Sequence, residues 1–291
     1  MPIVDSYGLP SIWMRAIQAA EARYSKGSAD ASVTQLIAPA QQQELIRQHK
    51  HEIKEELVDK LWAFDGTLVH LMLELAGPGD NDIIETRVSV ELEGWTVSGQ
   101  IDLYSERHCT IYDVKRTSIY ALKDGMKPEW EAQLNCYRYL WTRNFPDLPV
   151  EQLRLMPWYK DWEPTRGSEF DYPDIPIEAR PVTMWTLEKT EDYLRSRIKL
   201  HQAARDGIVA PCTRDERWQS EDIWRVQKAG KTIRGGKCTD KKQAYRLALE
   251  KGCTVVYSAG RAVRCRGTER LKRPYCPVAA FCPQLRKELD S

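Results

Sequence analysis

The stretch Gly99-Gln-Ile-Asp-Leu-Tyr-Ser-Glu-Arg-His-Cys-Thr-Ile-Tyr-Asp-Val-Lys115 decides how the rest of the chain is read. It reads as two short strands joined by a turn, with Asp102 on the first and Asp113 and Lys115 on the second. Side chains alternate faces along a strand, so Asp113 and Lys115 share one face while Val114 points to the other. Two carboxylates and an ammonium on adjacent strands are costly unless a metal ion or a substrate balances them. The stretch is therefore a candidate metal-dependent site.

Upstream, Thr86-Arg-Val-Ser-Val-Glu-Leu-Glu93 alternates apolar and polar, turns at Glu93-Gly94 and returns as Trp95 to Leu103. This predicts an antiparallel three-strand meander. A helix is expected before it, from Leu61 to Ala76, closed by Gly77-Pro-Gly79. On that helix Gly66, His70 and Glu74 recur at i, i+4 and i+8 and line one stripe, while Leu68, Leu71, Met72 and Leu75 cover much of the remainder. Gly66 leaves room for something to approach His70. The alternative for His70 is a hydrogen-bonded core histidine.

Downstream, Arg116-Thr-Ser118 leads out of the sheet, and Pro128 opens a helix running to about Arg143. Trp130, Gln133, Leu134, Tyr137 and Trp141 recur on it at helical spacing. Glu151 to Tyr159 reads as a strand, 160–181 as an exposed loop, and Glu188 to Arg205 as an amphipathic helix ended by Gly207. Ahead of all this, 10–25 looks helical and 41–61 forms a polar helical region. There Arg47, His49, Lys50, His51 and Lys54 either touch phosphate or form a solvated face. From Pro211 the texture changes to a small β-β-α-β module bracketed by cysteines. The expected division is an N-terminal helical region (1–60), a core (61–207) and a cysteine-rich C-terminal cap (208–291).

Lys and Arg (43) nearly balance Asp and Glu (42), so the net charge of +1 supplies no global field for a polyanion, and any nucleic-acid contact must be local. With no long apolar run and no charged-then-apolar leader, the expectation is a soluble cytoplasmic protein without membrane association. Eight cysteines, five of them at or after Cys238, favour metal or cluster ligation over disulfides in such a protein.

Taken in chain order, these elements are a histidine on a helix, an aspartate on a strand, Asp-x-Lys on the next strand and Gln-x-x-x-Tyr on a helix. The order resembles the PD-(D/E)xK nuclease superfamily, within it the RecB-type branch with the CRISPR-associated RecB-like exonucleases and related bacteriophage recombination nucleases. The matching residues are Gly66-Thr-Leu-Val-His70 with Glu74, Gly99-Gln-Ile-Asp102, Asp113-Val-Lys115 and Gln133-Leu-Asn-Cys-Tyr137, with a weaker echo in Ser32-Val-Thr-Gln-Leu36. The proline that gives the superfamily its name is Ile101 here.

The resemblance implies a restriction-endonuclease-like α/β core, a mixed central sheet flanked by helices. It implies one Mg²⁺ or Mn²⁺ held by His70, Asp102, Asp113 and the Val114 carbonyl, with the imidazole shifting preference toward Mn²⁺. Lys115 would position or help deprotonate the attacking water, and Glu74 would ligate or orient the ion. Gln133 and Tyr137 would contact the DNA strand or brace Lys115, with Arg116, Thr117 and Ser118 as further DNA contacts.

RecB-type relatives often carry a [4Fe–4S] cluster held by one cysteine ahead of the core and three behind it. Here Cys265, Cys276 and Cys282 match the three behind, but no cysteine precedes Cys109. Cys212 is the chosen fourth ligand, with Cys238 and Cys253 as alternatives and zinc as the alternative to a cluster. Cys109 and Cys136 read as ordinary core or surface residues.

Basic residues gather at this end: Arg225, Lys228, Lys231, Arg234 and Lys237 in the module, and Arg261, Arg264, Arg266, Arg270, Lys272 and Arg273 around the cysteines. They fit either phosphate contact without base reading or a solvated surface. The expected activity is a metal-dependent DNA exonuclease serving recombination, repair or phage DNA processing, with a recombinase or single-strand annealing protein as a conceivable partner. The alternatives are an endonuclease of the same fold, a non-catalytic DNA-binding relative and, furthest off, a zinc-dependent interaction protein.

Overall fold

The computed structural model describes residues 1–23, 27–79, 81–123, 125–166, 172–268 and 274–290. The chain forms two units: Met1–Gln43 with His51–Val209, and Glu44–Lys50 with Ala210–Ser291. Arg270, Lys272 and Arg273 lie outside the described residues.

In chain order the first unit contains β1 (Ile3–Val4), α1 (Ser11–Arg23), β2 (Ala31–Ser32), α2 (Val33–Ile37), the start of α3 (Ala40–Gln48) and β3 (Glu55–Glu56). It continues through α4 (Leu57–Ala76), β4 (Asp82–Leu92), β5 (Trp95–Ser105), β6 (Thr110–Thr117), α5 (Pro128–Asn144), β7 (Gln152–Tyr159), β8 (Arg180–Pro181) and α6 (Leu187–Arg205). The six-stranded central sheet runs β2-β5-β6-β7-β8, with β4 also paired to β5. The β2–β5 and β6–β7 pairs are parallel and the others antiparallel, so the sheet is mixed and flanked by helices, the expected α/β class.

Local chemistry explains the joints. Glu93 (φ 49°) and Gly94 (φ 72°) both take the left-handed backbone that a two-residue hairpin between right-twisted strands requires. α4 begins at Leu57, a turn earlier than the apolar pattern suggests, and ends where Gly77 swings to φ 71°. The Ser32-Val-Thr-Gln35 echo is a capping box: Ser32 Oγ accepts from Gln35 N–H (3.2 Å) and Gln35 Oε1 accepts from Ser32 N–H (3.0 Å), worth about 1 kcal/mol to α2.

β6 and β7 run parallel, which demands a crossover, and α5 supplies it. This helix is buried from Ala132 to Trp141 with only Arg138 partly exposed, so its low amphipathicity reflects burial nearly all round. Leu134, Leu140 and Trp141 enter the core with Tyr104, Ile111, Leu153 and Leu155. The Tyr104 and Trp141 rings meet at 4.4 Å, and each sends its polar atom to a backbone carbonyl, of Pro149 and Leu148.

The second unit carries β9 (Ile223–Lys228), β10 (Lys231–Cys238), α7 (Lys241–Lys251), β11 (Thr254–Ser258), α8 (Val263–Arg266) and α9 (Pro283–Leu289). The three strands form an antiparallel sheet ordered β10-β9-β11, the expected small module. Its own core joins Val226, Cys238, Ala244 and Ala248, with Trp224, Ile233, Leu247, Cys253 and Val255 packed against it. The two ends of the module abut: Ser220 N–H donates to the Arg261 carbonyl (3.0 Å) and Arg261 N–H to Ser220 Oγ (2.9 Å). Arg217 makes a two-pronged ion pair with Glu288, and His49 stacks on Phe281 at 4.1 Å.

Candidate active site

The β5–β6 ladder pairs Ser105 with Thr110, Tyr104 with Ile111 and Leu103 with Tyr112, and there it stops. The next residues along are Asp102 and Asp113. Beyond that point the Val114 N–H donates to the Asp102 Oδ2 atom at 2.7 Å instead of to a strand carbonyl. Both carboxylates are almost fully buried, Asp102 at 4% exposure and Asp113 at 1%.

Asp113 Oδ1 accepts from Lys115 Nζ (2.9 Å) and from Gln133 Nε2 (3.2 Å). Its Oδ2 lies 2.7 Å from the same ammonium as an ion pair but has no aligned hydrogen bond. A buried carboxylate oxygen left short of hydrogen bonds is what a cation would satisfy. Gln133 also donates to the Tyr137 hydroxyl (2.8 Å), so the pair predicted on α5 meets Asp113 in this structure.

Gly99 explains the first letter of its motif: a Cβ there would lie 2.8 Å from Tyr137 Cε1, so only glycine lets the ring pack on β5. Gly66 differs, because a Cβ there would meet nothing; it simply keeps the cleft wall low one turn before His70.

His70 Nδ1 lies 2.9 Å from Glu85 Oε1 and 3.6 Å from Asp102 Oδ1. His70, Glu85 and Asp102 bring their ligand atoms within 4.8 Å of one another, a donor set for one cation. This set differs from the expected one: Glu85 joins it, whereas Asp113 stands beside it on Lys115. The Val114 group seen against a site carboxylate is its amide.

Glu85 was not foreseen, because the alternation that revealed β4 begins at Thr86. The ladder pairs Ile84 with Leu103 and Thr86 with Ile101, so Glu85 stands opposite Asp102 with its backbone in the left-handed region at φ 45°. Its Oε2 accepts from Gln100 Nε2 (2.6 Å), and Gln100 Oε1 accepts from Arg87 (2.7 Å). Nothing in the sequence distinguishes this glutamate from a solvent-facing strand residue.

The electrostatics follow from the crowding. Burial first, and the Asp113 charge second, push Asp102 up to about 7, against the pull of Lys115, His70 and the Val114 amide. The Glu85 hydrogen bond foremost, with Asp102 adding, raises the His70 imidazole above its ordinary value despite burial. Burial opposes the charge on Lys115, but Asp113 and Asp102 outweigh it, so its pKa is raised and the ammonium stays protonated. The donor chemistry, one imidazole and two carboxylates beside an under-satisfied third, fits a hard or borderline divalent ion.

His70, Asp102 and Lys115 line one open cleft of about 680 Å³, together with Ser32, Thr34, Lys60 and Arg87, whereas Glu85 and Asp113 are not part of its lining. His70, Glu74, Asp102, Lys115, Gln133 and Tyr137 all border it, Glu74 at its exposed end. The structure does not bring Arg116, Thr117 and Ser118 to the cleft lining. Arg116 stacks on Trp158 and reaches Asp65, the Thr117 carbonyl accepts from Lys160 N–H, and Ser118 Oγ donates to Asp161. They brace the exit of β6.

In the second unit, Cys265, Cys276 and Cys282 are buried and Cys212 is half-buried. Gln284 holds the Cys212 backbone from both sides, accepting from its N–H (2.9 Å) and donating to its carbonyl (3.0 Å), beside the α9 cap Cys282. The Arg264 carbonyl accepts from Tyr275 and Cys276 N–H, which draws Cys276 toward Cys265. The bond from Cys276 first, with Arg217 and Arg264 helping, lowers the Cys265 thiol to about 6. Burial, with Glu216, Cys282 and Cys265 behind it, raises Cys212 to about 12. Cys238 and Cys253 belong to the module's own core, and Cys136 is fully buried in the first unit's core.

No family model matches the chain, and no curated protein matches it. Among solved structures it is similar to SSO0001, at 16% identity and a TM-score of 0.45, over 65% of this chain and 85% of that one. It is also similar to a Eubacterium rectale protein described as a candidate exonuclease, at 15% identity and a TM-score of 0.32, over 44% of this chain and 47% of that one. Likeness at this level bears on neither chemistry nor substrate. No helix among the described residues is long and apolar enough to cross a membrane.

Proposed function

We propose that this chain is a divalent-metal-dependent deoxyribonuclease that hydrolyses DNA phosphodiester bonds. One observation carries the reading: His70, Glu85 and Asp102 converge within 4.8 Å beside the buried Asp113–Lys115 pair at an open cleft. His70, Asp102 and Glu85 would hold the ion, with Asp113 beside them. Bound there, Mg²⁺ or Mn²⁺ supplies a Lewis acid for a phosphate oxygen and lowers the pKa of water.

The chain's own groups do the rest. Lys115, protonated and 2.7 Å from Asp113, offers N–H donors and positive charge to a phosphate or to the attacking water. Gln133 and Tyr137 fix the Asp113 carboxylate, and Glu85 fixes the His70 ring. Ser32, Thr34, Lys60 and Arg87 along the cleft are donors suited to a phosphodiester backbone.

Action from DNA ends, in recombination, repair or phage DNA processing, rests on the sequence resemblance to RecB-type exonucleases. The test incubates purified protein with end-labelled linear DNA and with a covalently closed circle, with Mn²⁺, Mg²⁺ or EDTA. Metal-dependent loss of the linear substrate alone is expected, and Asp113→Ala should lower it by at least about 100-fold. Cutting of the circle would make the protein an endonuclease. An Asp113→Ala protein as fast as the parent would sink the site.

The same reading extends to the second unit, where Cys212, Cys265, Cys276 and Cys282 would hold a [4Fe–4S] cluster as a structural staple. The Gln284 clamp on Cys212 and the Arg264 clamp on Cys276 support it.

A further inference from the structure

The module β9-β10-α7-β11 has one covered sheet face and one bare face. Trp224, Val226 and Val255 pack toward α7 through Ala244 and Ala248, so alternation turns Ile223, Arg225 and Gln227 of the central strand the other way. The register then sets Thr232 and Thr254 beside Gln227, and Lys237 and Val256 beside Arg225, on the same bare face.

The charge of this sheet is one-sided. Residues 223–238 and 254–258 hold five cations (Arg225, Lys228, Lys231, Arg234 and Lys237) and no Asp or Glu, in a chain whose net charge is only +1. The described ion pairs of this unit, Arg47–Glu44, Arg214–Asp222 and Arg217–Glu288, use none of the five. Arg225 is instead steadied by a hydrogen bond to Ser258 Oγ (2.7 Å), which leaves its charge unneutralised. A bulge between Thr232 and Lys237 pushes Arg234 out from one edge.

We propose that this bare sheet face docks into the major groove of double-stranded DNA. Three strands span about 10 Å, against a groove about 12 Å wide. At the β10 edge, Lys237 on the bare face and Arg234 pushed out by the bulge would meet the phosphates of one strand, whereas Lys228 and Lys231 alternate onto the helix-covered face. The centre offers Arg225 for a guanine edge, Gln227 for an adenine edge and the Val256 methyls for thymine.

Single strands are a poor match, because bases splayed on a sheet need aromatic platforms. The module's Trp224 and Tyr257 pair with each other on the helix-covered side. An acidic membrane surface is a poor match too, since the face lacks an apolar band. The docking is independent of cleavage and goes beyond the proposed nuclease reading, giving the protein a sequence preference apart from the hydrolytic site.

The experiment uses the full chain in EDTA, so that failure of cleavage and failure of docking read out separately. Bound sequences are selected from a randomised duplex pool, and affinity is measured against salt by fluorescence anisotropy. The wild-type protein should enrich a defined short site. Arg234→Ala with Lys237→Ala should reduce the slope of log affinity against log salt by about 2. Arg225→Lys should keep the slope but lose at least about fivefold of the preference at one base pair, because lysine cannot make the planar two-bond contact. Gln227→Ala is the second variant should Arg225→Lys lower the thermal midpoint. An unenriched pool, a salt slope that the Arg234→Ala, Lys237→Ala variant leaves unchanged, or equal binding to single strands or phosphatidylserine vesicles would each overturn the proposal.

Discussion

Glu85 stands opposite Asp102 across the β4–β5 ladder, two buried carboxylates with the His70 Nδ1 atom 2.9 Å from one and 3.6 Å from the other. Like charges directly opposite on a sheet repel, and here one of them also sits on a left-handed backbone. Two local penalties at one point of an otherwise regular hairpin are what a candidate cation site would require, with stability yielding to function.

That arrangement separates backbone from carboxylate. Glu85→Gly should leave the metal-free thermal midpoint unchanged or higher, because glycine adopts φ 45° without the roughly 1–2 kcal/mol that a Cβ adds. The same change should weaken Mn²⁺ binding about 10- to 100-fold by calorimetry. Unchanged Mn²⁺ affinity would remove Glu85 from the site.

Gly99→Ala should destabilise by about 1–3 kcal/mol in urea unfolding, because the new methyl group collides with the Tyr137 ring. In a Tyr137→Leu background the cost should shrink, a non-additivity expected of residues in contact. Equal costs in both backgrounds would mean that the strand relaxes in some other way.

His201 gives a pH signature outside the site. Its Nε2 lies 3.1 Å from the Leu36 carbonyl, and burial first, with Arg197 and Arg205 nearby, lowers its pKa below 6.5 in the folded state. The unfolded chain therefore takes up the proton first, so the contribution is complete above about pH 6.5 and is lost as pH falls toward the depressed folded value. The thermal midpoint of the wild-type protein minus that of His201→Gln should shrink as the solution is acidified through this window. A difference that stays constant would contradict the neutral buried imidazole.

Protein purified without oxygen should be brown and contain iron and acid-labile sulfide. Cys276→Ser or Cys212→Ser should bleach it and lower its melting midpoint. A colourless wild-type protein carrying zinc and no iron would replace the cluster with a tetrahedral zinc site.

The meander, the crossover helix and the ββαβ module were legible because period and punctuation agree along those stretches: the Thr86–Glu93 alternation, the Glu93-Gly94 turn, Pro128 and the change of texture from Pro211. His70, Asp102, Asp113, Lys115, Gln133 and Tyr137 could be read as candidates because their order and spacing survive in one dimension, and all but the recessed Asp113 border the cleft. Glu85 could not be read. Its place beside His70 depends on a left-handed residue in mid-strand and on a partner helix fifteen residues earlier, and neither leaves a pattern. Arg116 and Ser118 show the converse: they read as polar residues leaving a sheet next to a site, and their packing on Trp158 and Asp161 leaves no pattern in the sequence.

The hydrogen-bonded closure of Ser220 on Arg261 means that the polypeptide enters and leaves the basic module at a single point. Residues 221–260 thus form an appendix with touching ends, hung between Cys212 and Cys265. Such a segment can be gained, lost or exchanged in evolution at little entropic cost to the cysteine-bearing segments that bracket it. On the proposed reading, target preference would thereby be free to drift while the candidate hydrolytic site stays fixed.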